Sequence, residues 1–206
     1  MKLSKEDQEF VKKYDDSKYA KPSVTADMVI FAQEENCEPE VLLIRRGRPP
    51  FQDQYALPGG FVNPDESVND AAARELKEET GVDCGCLEQL RTFSTPGRDP
   101  RRWVITCAYL ALVEKNEITV KAGDDAKTAE WFRVHLEEQE PLRWRLELRG
   151  SGGMICIPFR EEKLPGRFTP ELILEEDETK LAFDHDLILA YAAMRLAAFQ
   201  KQSGII

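Results

Sequence analysis

The sequence lacks the features of several common classes of protein. No stretch of its 206 residues is long and apolar enough to span a membrane, and its first residues contain no apolar signal core. We therefore expect a cytoplasmic protein that does not associate with a membrane. Lysine and arginine total 28 against 38 aspartates and glutamates, so the formal net charge is −10. This balance argues against nucleic acid as a partner, because binding to a phosphate backbone depends on clustered basic residues.

The cysteines predict neither a disulfide framework nor a zinc site. They are five in number and scattered, and Cys84 and Cys86 are too close together for a usual zinc pair. We expect reduced, mostly buried thiols. A hydrophobic fraction of 42% and 9% aromatic residues are enough for a folded core. The length suits one domain with a sizeable insertion, and we interpret residues 1–206 as a single domain.

The most informative stretch of the chain is 59–82, where a Pro-Gly-Gly turn and a polar loop lead into a helix. Ser67 with Asp70 three residues later is a capping box, and Gly81 is a natural helix stop. The residues between are good helix formers. The pattern predicts a helix over residues 68–80.

Three glutamates share one face of this predicted helix. Glu75, Glu78 and Glu79 stand at i, i+3 and i+4, where like charges repel. A divalent cation would turn this repulsion into coordination, and Mg²⁺ or Mn²⁺ accepts carboxylates together with backbone carbonyls. The alternative is a solvated acidic face with an ion pair between Arg74 and Glu78.

The spacing of the charged residues and glycines is specific. The pattern Gly-x5-Glu-x7-Arg-Glu-Leu-x-Glu-Glu-x-Gly-Val is met without a gap by Gly60, Glu66, Arg74, Glu75, Glu78, Glu79 and Gly81. Chance agreement is on the order of 10⁻⁸ per start position at average residue usage. The stretch resembles the complete signature of the Nudix hydrolase family. The resemblance implies a Mg²⁺-dependent (or Mn²⁺-dependent) enzyme that cleaves a nucleoside diphosphate linked to another group.

The resemblance also implies roles for single residues and a fold. Glu75, Glu78 and Glu79 would bind the metal and act in catalysis, and the Gly59 carbonyl would complete the metal site. Arg74 and Glu66 would hold the helix and the loop by ion pairing. The implied fold is α+β, an α/β/α sandwich around a mixed sheet.

A basic loop, Thr-Pro-Gly-Arg-Asp-Pro-Arg-Arg at 95–102, lies between two predicted strands at 87–95 and 103–113. Arginine forks bind diphosphate oxygens bidentately, which makes Arg98 and Arg101 candidate substrate ligands together with Asp99. A surface charge cluster is the alternative. The loop is similar to the ADP-ribose pyrophosphatase branch of the family, in which a proline follows the signature at the position of Pro96.

Two further loops carry candidate residues. The loop 47–55 brings Arg48 and Tyr55 towards the Pro-Gly-Gly turn, where they could clamp a phosphate and stack a base, although packing at the rim fits equally well. In the family, a carboxylate from a later loop often serves as general base or extra ligand. Asp124, Asp125 and Glu130 are the candidates here, and the alternative for each aspartate is a turn residue that caps its own backbone.

The rest of the chain predicts the surrounding architecture. Residues 1–20 read as an arm or short helix, 24–32 and 40–46 as a hairpin, and 129–134 as a short strand. Residues 136–180 form a β-rich insertion, an antiparallel meander that would either cover the site or contact another subunit. Its first strand alternates, with one apolar face formed by Leu142, Trp144, Leu146 and Leu148.

The last predicted element is a C-terminal helix at 183–200. Its predicted apolar face consists of Leu187, Tyr191, Met194 and Ala198. His185, at the start of this helix, fits a structural role better than a catalytic one.

The favoured hypothesis is hydrolysis of ADP-ribose to AMP and ribose 5-phosphate. One alternative is a regulator that senses ADP-ribose without cleaving it, although such regulators carry a winged helix that the strand-rich tail after Trp131 fits poorly. The other is the same chemistry on a modified nucleoside triphosphate or a sugar nucleotide. Because many pyrophosphatases of this branch are homodimers, we expect a homodimer. The expected small-molecule partner is a nucleotide substrate.

Overall fold

The computed structural model describes residues 3–34, 37–81, 87–115, 126–176, 178 and 180–203. Within these residues it contains three helices and ten strands. The helices are α1 (Lys5–Lys13), α2 (Val68–Thr80) and α3 (His185–Ser203). The strands are β1 (Ser23–Ala32), β2 (Glu40–Arg46), β3 (Tyr55–Ala56), β4 (Gly59–Phe61), β5 (Glu88–Phe93), β6 (Val104–Val113), β7 (Ala126–Glu140), β8 (Arg143–Gly150), β9 (Gly153–Glu162) and β10 (Glu171–Leu174).

All ten strands belong to one sheet, and the sheet is mixed. The main order is β10-β9-β8-β7-β2-β1-β6-β5, while the short strands β3 and β4 pair with β2 and β1 respectively. β1 and β6 run parallel over their whole length, and the other pairs are antiparallel. The predicted hairpin of β1 and β2 is present, but the two strands pair only at Phe31 with Val41 and Ala32 with Glu40.

The sheet forms the middle layer of the predicted α/β/α sandwich, and β1 contributes to the cores on both of its faces. Successive side chains of a strand point to opposite faces of the sheet, so its apolar residues serve two cores. Met28 and Ile30 pack in a core with Leu76 of α2. Val29 and Phe31 belong to the other core, which includes the buried residues of α3. Burial of one such large side chain contributes about 1.5–3 kcal/mol, so α2 and α3 are both held against the sheet by their apolar sides.

The predicted meander is present, but it continues the main sheet. β7 was expected to be short, at 129–134. It instead runs for 15 residues because its first half pairs with β2 and its second half with β8, so both halves have backbone partners. Leu142 lies in the turn before β8 with φ of 66° and is exposed, whereas Leu146 and Leu148 are buried beside α3. The last strand of the meander, β10, starts at Glu171.

The buried face of α3 differs from the predicted one. The fully buried residues are Ile188, Leu189, Ala190, Ala192, Ala193 and Leu196. Leu187, Tyr191 and Met194 are only half-buried at the edge of that core, and Ala198 is exposed. The helix is rich in alanine and leucine on every side, so its sequence period does not single out one face.

Two peripheral features complete the description. α1 has a capping box at Ser4 and Asp7, and none of its residues is buried. The cysteines in the described part of the chain are free thiols, but the prediction that most are buried is wrong for them: Cys37 is exposed and Cys107 and Cys156 are half-buried. Cys84 and Cys86 lie outside the described residues. No helix of the described chain is long and apolar enough to cross a bilayer.

Candidate active site

α2 begins and ends where its caps place it. The Ser67 hydroxyl accepts a hydrogen bond from the Asp70 N–H at 3.1 Å, and the Asp70 carboxylate accepts one from the Ser67 N–H at 3.3 Å. Gly81 ends the helix in the left-handed conformation, with φ of 76°. Because Ala72 and Leu76 are buried against the sheet, the neighbouring glutamates are brought up to β4.

Two glycines allow the helix and the sheet to approach this closely. In β4, Gly59 and Gly60 pair with Asp27 and Ala26 of β1. A Cβ atom at Gly59 would lie 2.3 Å from the Ala26 carbonyl oxygen, and one at Gly60 would lie 2.1 Å from Glu75 Oε1. A larger residue at Gly60 would displace the Glu75 carboxylate of α2, and one at Gly59 would collide with the backbone of β1.

Arg74 ties the helix to the preceding loop, as the resemblance implied. Its Nε and Nη2 atoms donate to the two Glu66 carboxylate oxygens at 3.1 and 2.7 Å. Hydrogen bonds from Arg74, and then from the Asn63 N–H, lower the pKa of Glu66 to about 2. Arg74 also contacts Glu75 at 2.7 Å and Glu78 at 3.2 Å. One guanidinium therefore orients two of the three helix glutamates.

The third glutamate is in a different environment. Glu79 Oε2 is buried and has no hydrogen-bond partner. Burial, and secondarily the charge of Glu75, raise the pKa of Glu79 to about 8, although a hydrogen bond from the Gly59 backbone opposes this shift. In the described part of the chain, no three acidic, histidine or cysteine side chains converge as a preformed metal cage. Glu75 and Glu78 face Arg74 instead.

These residues nevertheless suit a hard divalent cation. A buried carboxylate oxygen without a partner is costly, and a bound cation would remove that cost. The donors available beside it are carboxylate and backbone oxygens, which Mg²⁺ and Mn²⁺ prefer to sulfur or nitrogen. Glu75, Glu78, Glu79 and the Gly59 carbonyl could hold such an ion.

A cleft of about 140 Å³ lies beside Glu79. It brings together five of the residues singled out in the sequence, namely Gly59, Glu79, Arg98, Asp99 and Arg101. Ligand pockets commonly measure about 300–1,000 Å³, so this cleft holds only part of a nucleotide.

The two candidate arginines of the basic loop differ in their surroundings. The Arg98 side chain is only 4% exposed and donates to both carboxylate oxygens of Asp184, at 2.8 and 2.5 Å. Arg101 is 39% exposed and binds both oxygens of Asp99. Burial alone would raise the pKa of Asp99, but the hydrogen bonds from Arg101 lower it on balance. Arg98 thus joins the loop to the start of α3, and Arg101 faces the cleft.

Three further candidates, Arg48, Tyr55 and Glu130, are not among the residues that line the cleft. Arg48 is exposed and is not among the cleft residues. The Tyr55 hydroxyl donates to Glu130 at 2.8 Å, and its ring packs on Phe132. Glu130 also accepts hydrogen bonds from Ser151, and so it belongs to a separate cluster. Asp124 and Asp125 lie outside the described residues.

Several cleft residues were not singled out as ligands in the sequence. They are Thr25, Asp27, Arg46, Phe61, Phe183 and His185. Asp27 carried a signal, because it is the one charged residue in the apolar run of β1. Burial raises its pKa, and the charge of Arg98 partly offsets this. The Thr25 hydroxyl is buried without a hydrogen-bond partner, so it too is available to a ligand.

His185 supports the structural interpretation of this residue. Its Nδ1 atom accepts a hydrogen bond from the Leu57 N–H at 2.8 Å. Burial lowers its pKa to about 3, so the imidazole is neutral. It fixes the start of α3 against the strand end that precedes the Pro-Gly-Gly turn.

Comparison with known proteins gives consistent matches. A family model described as the NUDIX domain matches residues 21–149. An ADP-ribose pyrophosphatase from Methanocaldococcus jannaschii is 43% identical over 117 residues, which are 57% of this chain and 65% of that protein. The ADPR responsive transcriptional repressor NtrR from Acinetobacter baylyi is 39% identical over 109 residues, or 52% of this chain and 43% of that protein. The chain therefore spans less than two thirds of these relatives.

Solved structures agree in fold. A MutT/nudix family protein from Enterococcus faecalis superposes with a TM-score of 0.73 at 36% identity, covering 94% of this chain and 69% of that one. The NUDIX domain of Shewanella oneidensis NrtR complexed with ADP ribose gives a TM-score of 0.61 at 24% identity, covering 94% and 99%. The first match extends through the meander and α3 as well as the region of the family model.

Proposed function

Since this chain belongs to the Nudix family, we propose that it hydrolyses the pyrophosphate bond of a nucleoside diphosphate derivative, with ADP-ribose as the substrate and AMP and ribose 5-phosphate as the products. The observation that carries the proposal is the buried, unpartnered Glu79 oxygen beside Gly59, in a cleft that also contains Arg101. The similarity to an ADP-ribose pyrophosphatase at 43% identity supports the choice of substrate.

The acidic side of the cleft would bind the catalytic cation. Glu75, Glu78, Glu79 and the Gly59 carbonyl are the residues that would hold Mg²⁺ or Mn²⁺. When bound, the cation supplies charge neutralisation at the phosphates and a more acidic water. One carboxylate of this wall would accept the proton of the attacking water. Arg74 acts by orienting Glu75 and Glu78 through its ion pairs.

The basic side of the cleft would bind the substrate anion. Arg101 is partly exposed, and Arg46 lines the same cleft, so their guanidinium groups suit the diphosphate oxygens. Such groups stabilise the charge that develops as the bond breaks. Two nitrogens of the Arg98 guanidinium group donate to Asp184, and we therefore assign Arg98 the role of holding the loop in place.

A second candidate function is an ADP-ribose-binding regulator. The observation that favours it is the 39% identity to the NtrR repressor of Acinetobacter baylyi. The net charge argued against nucleic acid as a partner, but a regulator of this kind would bind it. Against it stand the complete acidic signature and the region after residue 149. That region forms β9, β10 and α3 of the same fold, all of which contribute to the core. Homodimerisation remains a proposal under either function.

A substrate panel tests the proposal. The purified chain is incubated with Mg²⁺ or Mn²⁺ and, separately, ADP-ribose, a modified nucleoside triphosphate and a sugar nucleotide, and the products are separated by chromatography. We expect AMP and ribose 5-phosphate from ADP-ribose, and no product in EDTA. If another nucleotide is cleaved faster than ADP-ribose, that nucleotide is the substrate instead. If calorimetry shows that ADP-ribose binds and no cleavage is found, the protein is the regulator and not the enzyme.

A further inference from the structure

An aromatic side chain contacts both arginines of the cleft. The Arg101 guanidinium carbon lies 5.3 Å from the centre of the Phe183 ring, and that of Arg46 lies 4.9 Å from it. Phe61 is the second ring beside Arg101, at 5.5 Å. Cations are attracted to aromatic faces at these distances. A single ring, Phe183, thus links two guanidinium groups that come from distant parts of the sequence.

The backbone at Phe183 is in an uncommon conformation. Its φ angle is 58°, and Phe51, whose ring meets it edge-on at 4.9 Å, has φ of 60°. Bulky residues rarely adopt this left-handed region, because it costs free energy that other contacts must supply. Such strain is often found where a protein needs one side chain in one place.

Contacts on both sides of Phe183 impose this conformation. The Ala182 N–H donates to the Tyr55 carbonyl at 2.8 Å. On the other side, Asp184 is bound by Arg98, and His185 accepts the hydrogen bond from Leu57. These neighbours anchor the segment to β3, to the basic loop and to the residue before the Pro-Gly-Gly turn, so the backbone at Phe183 is restrained from both sides.

Each guanidinium also has a second anchor. Arg46 Nε donates to the Pro50 carbonyl at 2.8 Å, and Arg101 is held by the Asp99 carboxylate. A long side chain that is already ordered loses less conformational entropy when it binds a ligand. The ring face and the polar anchor together therefore prepare both arginines for an anion.

We propose that Phe183 is a positioning residue whose ring holds the guanidinium groups of Arg46 and Arg101 in the cleft, where together they bind the diphosphate of the substrate. This inference depends on the proposed function in one respect, namely that the ligand of the cleft is a nucleoside diphosphate derivative. Phe183 acts on binding through the arginines, and it takes no part in the chemical step.

The test compares variants of this ring. Phe183→Leu keeps the apolar volume but removes the aromatic face, Phe183→Tyr keeps the face, and Phe199→Leu is a matched control on the exposed side of α3. For ADP-ribose with Mg²⁺, we expect Phe183→Leu to raise KM about tenfold with kcat changed by less than about threefold, as expected for the loss of cation–π contacts. Phe183→Tyr should restore most of the affinity. Adding Phe183→Leu to the double variant Arg46→Ala, Arg101→Ala should raise KM no further than the double variant alone.

Calorimetric titration of ADP-ribose in EDTA, with thermal unfolding of each variant, separates this inference from the proposed function. If the wild type binds ADP-ribose in EDTA but does not cleave it when Mg²⁺ is added, the hydrolase proposal fails, and a weaker Kd for Phe183→Leu still supports the role of the ring. A purely structural role predicts a lower melting temperature with unchanged KM and Kd, and the same melting-temperature loss in the double variant Arg46→Ala, Arg101→Ala. Either that pattern or a wild type that neither binds nor cleaves ADP-ribose overturns the inference.

Discussion

The carboxylate of Glu75 lies directly against the backbone of Gly60. A Cβ atom at Gly60 would be 2.1 Å from Glu75 Oε1 and 2.4 Å from its carboxylate carbon, closer than real Cβ contacts allow. The glycine in the turn and the glutamate on α2 are thus two parts of one contact, which sets how closely the acidic face of α2 approaches β4.

Gly60→Ala should therefore displace the Glu75 carboxylate. We expect kcat for ADP-ribose to fall about a hundredfold, as a displacement of about 1 Å in an active site can produce. The measurement is steady-state turnover at saturating Mg²⁺, with circular dichroism to confirm folding. Gly152→Ala is the matched control, because a Cβ there meets only the Tyr55 hydroxyl at 3.6 Å. Wild-type turnover by Gly60→Ala would mean that Glu75 is not held by this contact.

Glu79→Gln tests the cation site. The substitution would remove one of the proposed metal ligands, so we expect kcat to fall about a thousandfold, equivalent to about 4 kcal/mol of barrier. Wild-type protein should gain thermal stability when Mg²⁺ or Mn²⁺ is added, because the cation binds the folded state only. The variant should gain far less. Without metal at pH 9, above the Glu79 pKa of about 8, it should be at least as stable as the wild type, since a neutral amide loses less on burial than a charge.

The control for this experiment is Glu6→Gln, on the exposed helix α1. It should match the wild type in both turnover and metal response. An equal metal-induced stabilisation of the wild type and Glu79→Gln would place the cation elsewhere.

Arg98→Lys should affect stability more than substrate binding. Arg98 is buried and bound through two nitrogens to Asp184, and lysine cannot reproduce this fork. Breaking a buried pair commonly costs about 3–5 kcal/mol, and the partial replacement by lysine should cost about 2–3 kcal/mol in urea unfolding. Arg102→Lys, at an exposed position of the same loop, should change little. If KM rises strongly and stability is unchanged, Arg98 binds the substrate as the sequence predicted.

His185 predicts a specific pH dependence of stability. Burial holds its pKa near 3, below the ordinary value of 6.5, so the unfolded state binds more protons between these values. The stabilisation from the neutral imidazole is complete above pH 6.5 and is lost as the pH falls towards 3. Glutamine at this position keeps an acceptor for the Leu57 N–H and does not titrate.

We therefore expect the free energy of unfolding of the wild type, minus that of His185→Gln, to decrease steadily from pH 7.5 to 4.5. The slope approaches about 1.4 kcal/mol per pH unit at its steepest. Urea unfolding at four pH values measures it, and His135→Gln controls for removal of an exposed imidazole. A pH-independent difference would show that His185 is not kept neutral by burial.

The local features of α2 could be predicted because each depends on residues close together in the chain. The capping box at Ser67 and the stop at Gly81 follow from spacing within a helix and its preceding loop. The pairing of Arg74 with Glu66 was implied by the family resemblance and is present. The α/β/α layers and the mixed sheet were also predicted, through the family resemblance.

The basic side of the cleft could be predicted only in part, because Arg101 was singled out from the sequence but Arg46 was not. Arg48 was singled out, yet Arg46 lines the cleft, because the pairing of β2 and the course of its loop decide which side chain faces inward. Phe183 and Thr25 gave no signal, since a phenylalanine before a helix and a threonine in a strand are ordinary. The extent of β7 was also missed, because it depends on having β2 and β8 as partners.

The sequence by itself determined the acidic helix face, its caps and the glycines beside it, because short-range spacing and backbone sterics act there without help from the rest of the chain. Only the tertiary structure decided which side chains oppose that face. It buries Arg98 and pairs it with Asp184, and it leaves Arg101 partly exposed. It also brings Arg46 and Phe183 together from positions far apart in the sequence. Such contacts depend on strand register and on the packing of α3, and no local pattern of residues predicts either of them.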